Sequence, residues 1–236
     1  MLDLFLLAVI GVITWCVASD GAWGAAFTMI SVVIAGLLAT SFFEVTATFL
    51  EQNIANSVEW QHRWDIIAFV GLFAAFVYGL RAATEQILPV DIEIHGMVFD
   101  IARWTCGLIT GWVTMSILLT ALHTAPLPRK FVGFAPEPGN RGGPIGQMGP
   151  DLKWLGYVHL MTEKAFRRGA NGPIFDGATF PFYPGDEFRI LPSFPIRYAS
   201  RRDRYYGTAA PAAGGGTLGS GPRGPALAAS PGAPRF

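Results

Sequence analysis

The sequence predicts an all-α membrane protein: a four-transmembrane-helix bundle, then an amphipathic helix and a largely disordered C-terminal tail. Three observations lead there. Of the 236 residues 51 % are apolar and only 14 % charged, against about a quarter charged in an average chain; the mean hydropathy is +0.38. Four stretches carry no charge at all: Leu4–Ala18 (15 residues), Gly21–Phe43 (23), Ile66–Leu80 (15) and Trp104–Leu122 (19). The net charge of zero is also split, with 3 basic and 10 acidic residues in 1–122 but 14 basic and 7 acidic in 123–236.

A hydrocarbon core of about 30 Å needs roughly 20 helical residues, about 17 at the least. The second and fourth stretches meet that length alone. The first and third need their flanks, where Trp15, Trp23, Trp60 and Trp64 supply interfacial anchors. Backbone polar groups in lipid must be satisfied within the segment, so the stretches are helices. A soluble bundle would need broader polar faces than these stretches offer. The first stretch lacks a preceding Lys or Arg, which favours an uncleaved span over a secretory signal. Arg63, Arg129, Lys130 and Arg141 on one side against Arg81 and Arg103 on the other place both termini in the cytoplasm by the positive-inside rule.

Helices in lipid associate through close backbone approach at small residues. Gly71, Ala75 and Gly79 form such a stripe in the third span, and Gly107 with Gly111 in the fourth; both are expected at helix contacts, within one chain or between copies. Ionisable residues at membrane depth are functional candidates. Glu44 is one, in Ser41-Phe-Phe-Glu-Val-Thr46, either in a conducting path or at the far interface, since Gly24–Phe43 already spans about 30 Å. Arg81 is a second, as ligand or as snorkelling anchor. His95 with Asp91 and Glu93 lacks a second contributing segment and is a solvated loop face rather than a metal site. Cys16 and Cys106 lie in apolar runs, where free Cys behaves as a small hydrophobe.

The order of features resembles the colicin V production protein family of bacterial inner-membrane proteins, over residues 1–125. A short N-terminus leads into one span, a tight Asp20-Gly21-Ala-Trp-Gly24 turn and a second span; a hydrophilic loop, a third span, an acidic and apolar loop and a Gly-spaced fourth span follow. Gly24 matches the family's turn glycine, with Trp23 in place of its basic residue. Asp100 and Arg103 precede Gly107 and Gly111, separated where the family has them adjacent. The resemblance implies a multi-pass inner-membrane protein linked to peptide-toxin production or export, with no established enzyme activity.

The four-span domain covers 1–123. Residues 124–150 read as a Pro/Gly linker. Residues 151–169 form an amphipathic helix with Asp151 as its acidic N-cap and Gly169 after it. Its Leu155, Val158, Met161 and Ala165 stripe either enters the headgroup boundary or packs on the bundle, while Lys153, Lys164, Arg167 and Arg168 suit anionic lipid. The aromatic and basic segment 170–206 suits lipid better than nucleic acid, because no recognition fold accompanies it. Residues 207–236, largely Gly, Ala, Pro and Ser, bury too little surface to order.

The sequence carries no phosphate loop, GxSxG, HExxH, paired CxxC or EF-hand loop. Catalytic residues, cofactors and metals are therefore not expected. The leading expectation is an inner-membrane scaffold or accessory protein, with the bilayer and either further copies or other membrane proteins as partners. A small homo-oligomeric channel or transporter is the alternative.

Overall fold

The computed structural model describes residues 2–54, 60, 63–87, 96–128, 133–134, 142–165, 179–181, 190–192, 194–195 and 197–199. Long helices dominate: α1 (Leu2–Ser19), α2 (Gly21–Asn53), α3 (Trp64–Ile87) and α4 (Met97–Thr124). Two short helices follow, α5 (Pro144–Gln147) and α6 (Pro150–Leu160), the latter continuing as a π-helical stretch over Met161–Ala165. Two three-residue strands, β1 (Thr179–Pro181) and β2 (Ile190–Pro192), pair antiparallel with Phe180 opposite Leu191.

Three helices, α2, α3 and α4, are long and apolar enough to cross a membrane. α1 is apolar but shorter. Only Asp20 separates α1 from α2. The reversal falls on Gly21, whose φ of +81° is costly for any residue with a Cβ. That corrects the expectation for Gly24, which lies inside α2.

The four long helices lie in a row, α1 along α4, α4 along α2 and α2 along α3. α1 and α4 run antiparallel: a Cβ on Gly107 would meet the Thr14 carbonyl at 2.9 Å, and one on Gly111 the Ile10 carbonyl at 2.9 Å. Thr14 Oγ1 also donates to the Gly107 carbonyl at 3.3 Å. This is the small-residue seam expected for helices in lipid. The Gly71, Ala75 and Gly79 stripe behaves otherwise. All three are exposed, with open space beyond Gly71 and Gly79, because α3 turns Phe69 and Phe73 to α2 instead. Of the two readings of this stripe, contact within the chain is therefore absent among the described residues, and contact between copies is left.

The main core gathers Val32, Ala35, Ala39 and Phe43 of α2, Phe69 and Phe73 of α3, and Ile117 and Ala121 of α4. Trp154, Leu155 and Val158 of α6 complete it, so the apolar face of that helix packs on the bundle. A second cluster joins Leu6 and Ile10 to Met115, Leu119 and Phe134, with Ile145 against it. Residues 124–150 are thus not only a spacer: they contribute Phe134, 2 % exposed, and the turn α5. The outer faces are apolar too, with Leu4, Phe5, Val12, Trp15, Val45 and Tyr78 all more than 60 % exposed. An outer surface of this kind suits lipid rather than water.

Candidate functional site at the polar ends of the bundle

Charged residues on the long helices fall at two levels. Asp3, Glu44, Glu51 and Asp65 mark one end; Asp20, Arg81, Glu85, Asp100 and Arg103 mark the other. Between them every described side chain of α1 to α4 is uncharged. Hydroxyls within this slab mostly bond back to their own helix: Thr40, Thr110, Ser116 and Thr120 each donate to the carbonyl four residues earlier, at 2.7–2.9 Å. This satisfies the hydroxyl without a partner helix.

At the Arg81 end, the guanidinium ties the α1–α2 turn to α3. Arg81 Nη2 lies 2.6 Å from Asp20 Oδ2, and Arg81 Nε lies 3.0 Å from Glu85 Oε1. Asp20 spends its carboxylate on this bridge and makes no side-chain cap on α2. Beside the pair an open cleft of about 450 Å³ runs between α2 and α3, lined chiefly by Trp23, Phe27, Thr28, Ser31, Arg81 and Glu85. On α4, Arg103 Nη2 pairs with Asp100 Oδ1 at 3.0 Å, one helical turn apart. Asp100 and Arg103 are together on α4's first two turns. Trp15 and Trp104 meet edge-on at this level, with ring centroids 6.1 Å apart.

At the opposite end Glu44 is half exposed and paired. Arg197 Nη2 donates to Glu44 Oε1 at 2.7 Å, and the Tyr198 hydroxyl donates to the same oxygen at 3.4 Å. The carboxylate thus anchors a segment more than 150 positions later in the chain. Phe194 and Tyr198 from that segment are buried against Phe43, at centroid distances of 6.0 and 6.3 Å. Part of the aromatic and basic stretch is therefore a piece of the core.

The least exposed polar contact joins α4 to α6. His123 Nε2 and Asp151 Oδ2 are 2.7 Å apart, and both side chains are fully buried. The Phe134 ring lies 4.7 Å from the imidazole. Asp151 was expected to cap its helix; instead α6 begins at Pro150 after Gly149 in the left-handed conformation, with no side-chain cap. A proline in the first turn and a left-handed glycine set the start without it, and the carboxylate turns to His123.

Lys153 and Lys164 are exposed on the outer side of α6 and of the π-helical stretch. Arg167 and Arg168, the His95, Asp91 and Glu93 loop, and the tail 207–236 lie outside the described residues. No group of three or more metal-ligating side chains occurs among the described residues. The His123–Asp151 pair went unnoticed in the sequence because its members stand 28 positions apart across a Pro/Gly-rich stretch, and a lone acid at a helix start reads as a cap. The one available signal was that Asp151 is the only acidic residue between Asn140 and Thr162. Comparison with protein-family models, with curated proteins and with solved structures finds no match to this chain.

Proposed function

We propose that the chain is a multi-pass bacterial inner-membrane scaffold or accessory protein, with four crossings, both termini cytoplasmic and no reaction of its own. The observation that carries this reading is the pairing of ionisable residues at each end, Arg81 with Asp20 and Glu44 with Arg197, across a seam filled by Phe43, Phe69, Phe73 and Ile117. A charge already paired at the rim of a packed seam holds elements together. It does not offer a translocating ion a relay.

The fourth crossing rests on α1. Its outward Leu4, Phe5, Leu7, Val12 and Trp15 are 55–70 % exposed, a heavy cost in water. It also lies alongside α4, from the cluster that holds Leu6 and Leu119 to the Trp15–Trp104 contact. The exposed lysines of α6 and the π-helical stretch, with Arg167 and Arg168, then serve anionic lipid or a partner at the cytoplasmic face. The resemblance to the colicin V production family, and its link to toxin export or envelope function, belongs to the same proposal.

Ion and small-solute flux in proteoliposomes tests it, comparing the wild type with Glu44→Gln. The expected result is no flux from either protein, together with a stable complex containing further copies or another membrane protein. Flux abolished by Glu44→Gln would replace the scaffold with the alternative, a small homo-oligomeric channel. The outward Gly71, Ala75 and Gly79 face of α3 is where copies would then meet.

A further inference from the structure

The cleft between α2 and α3 at the Arg81 end joins the Arg81 ion pair to features that the scaffold reading does not use. Its rim carries one cation and one anion, Arg81 and Glu85, in contact at 3.0 Å. The Arg81 contacts to Asp20 and Glu85 run through Nη2 and Nε, which leaves Nη1 for a third acceptor. The Glu85 side chain is 67 % exposed. Trp23 and Phe27, edge-on at 5.4 Å, form an aromatic wall.

Deeper in the cleft lie Thr28 and Ser31. Both residues are more than nine-tenths buried, at 7 % and 6 % exposure. Unlike Thr40, Thr110, Ser116 and Thr120, neither makes a hydrogen bond among the described residues. They sit one and two helical turns inward from Gly24, about 6 and 11 Å along the axis. Hydroxyls on buried residues that decline the carbonyl four residues back and open into a cleft are placed for an acceptor from outside. Alongside them and further inward α2 presents Ile30 and Ile34, 50 % and 41 % exposed, on the stripe that continues Trp23 and Phe27.

We propose that this cleft is a binding site for an aminophospholipid, a lipid with a phosphoethanolamine headgroup. The proposal rests on α2 and α3 crossing the bilayer. The order of groups down the cleft matches the order of groups down such a lipid. The phosphate meets Arg81, the primary ammonium meets the exposed Glu85 carboxylate beside Trp23, the ester carbonyls accept from Thr28 and Ser31, and an acyl chain lies along Ile30 and Ile34. With Asp20 also on Arg81, two carboxylates face one guanidinium, which favours a zwitterion over an anionic headgroup, for which Glu85 and Asp20 would be repulsive. A choline headgroup has no N–H to donate to Glu85 and loses that hydrogen bond.

The test is lipid retention by the purified full chain in mixed vesicles and in detergent, read by native mass spectrometry. Phosphatidylethanolamine, phosphatidylcholine and phosphatidylglycerol of identical chains are compared with water-soluble glycerophosphoethanolamine. Phosphatidylethanolamine should be retained about fivefold or more over the other two lipids, the worth of about one hydrogen bond. Thr28→Val and Ser31→Ala, which leave the ion pairs untouched, should each weaken retention several-fold with the thermal midpoint of the lipid-free protein unchanged. Glu85→Gln should abolish the preference over phosphatidylcholine.

Equal retention of all three lipids, or retention indifferent to Thr28→Val and Ser31→Ala, would overturn the proposal. Equal binding of the soluble headgroup would also overturn it, in favour of a site for free zwitterions. Protein that fails to float with vesicles would remove the membrane reading as well, whereas floating protein without the lipid preference removes the lipid site alone.

Discussion

The imidazole of His123 and the carboxylate of Asp151 are 2.7 Å apart in a region sealed from solvent, and together they fasten the end of α4 to the start of α6. Removing one member of a buried, hydrogen-bonded pair strips the other of that contact at full burial, a loss that reaches about 3–5 kcal/mol for ion pairs. Asp151→Ala and His123→Ala should therefore each lower the thermal midpoint of the detergent-solubilised protein sharply. His123→Leu combined with Asp151→Leu should lose less than the sum of the two single losses. Additive losses in the double variant would show that the two residues act independently.

The glycines divide into two classes by what a side chain would meet. At Gly107 and Gly111 a Cβ would press against α1 backbone at 2.9 Å, and backbone cannot swing aside as a flexible side chain can. Gly111→Val should separate α1 from α4 and cost about 1–3 kcal/mol, as overpacking does. Gly71→Ala and Gly79→Ala point into open space and replace a poor helix former, so they should be neutral or stabilising by up to about 1 kcal/mol. Thermal unfolding in detergent separates the classes. Destabilisation by Gly79→Ala instead would show that the outward face of α3 meets another copy.

This contrast also shows how much the residues alone could reveal. The spans were legible because uncharged length needs no partner to be recognised: α2, α3 and α4 contain the runs 21–43, 66–80 and 104–122. Small-residue spacing identified both glycine stripes, but spacing is a property of one helix and contact is a property of two. Gly107 faces Thr14 only because Leu6 and Ile10 seat α1 along Met115 and Leu119. Gly71 faces outward because Phe43 and Phe69, 5.1 Å apart, turn the other side of α3 to α2. The partners of Glu44 and His123 were hidden for a related reason. Each comes from beyond a Pro- and Gly-rich stretch whose composition resembles a spacer, though Phe134 and Ile145 within it are packed.

Glu44 and Phe194 fix the same late segment by different means, and the apolar contact should dominate. The Glu44–Arg197 pair has 40 % and 44 % of its side chains exposed, so solvent screening limits it to about 0–1 kcal/mol. Phe194 is fully buried between Phe43 and Tyr198, and truncating a buried Phe costs about 3–5 kcal/mol. Arg197→Ala should barely move the thermal midpoint, and Phe194→Ala should lower it strongly. Limited proteolysis near residue 197 reports the same ranking, with rapid cleavage expected only for Phe194→Ala. A large loss from Arg197→Ala would mean that the ion pair, not the aromatic cluster, holds the segment.

Gly36 sets how closely α6 approaches the bundle. A Cβ there would lie 2.5 Å from Ile117 Cδ1 and 2.6 Å from Trp154 Cζ2, so the indole rests on bare α2 backbone. Gly36→Leu cannot be absorbed by a rotamer change, because the Trp154 indole is a rigid ring, 5 % exposed and packed on Tyr157 at 5.6 Å, with Ile117 closing the other side of the glycine. The strain should lift α6, break the reach from Asp151 to His123 and loosen the helical backbone at the already exposed Lys153 and Lys164 for protease. Trypsin cleavage at those lysines should accelerate in Gly36→Leu, and the thermal midpoint should fall by the equivalent of about 1–3 kcal/mol. Trimming the opposing side chain supplies the control. In the Gly36→Ala background, Trp154→Leu makes room for the added methyl and should restore protection relative to Gly36→Ala alone. If it fails to do so, α6 is held by the His123–Asp151 contact rather than by the fit of Trp154 to Gly36.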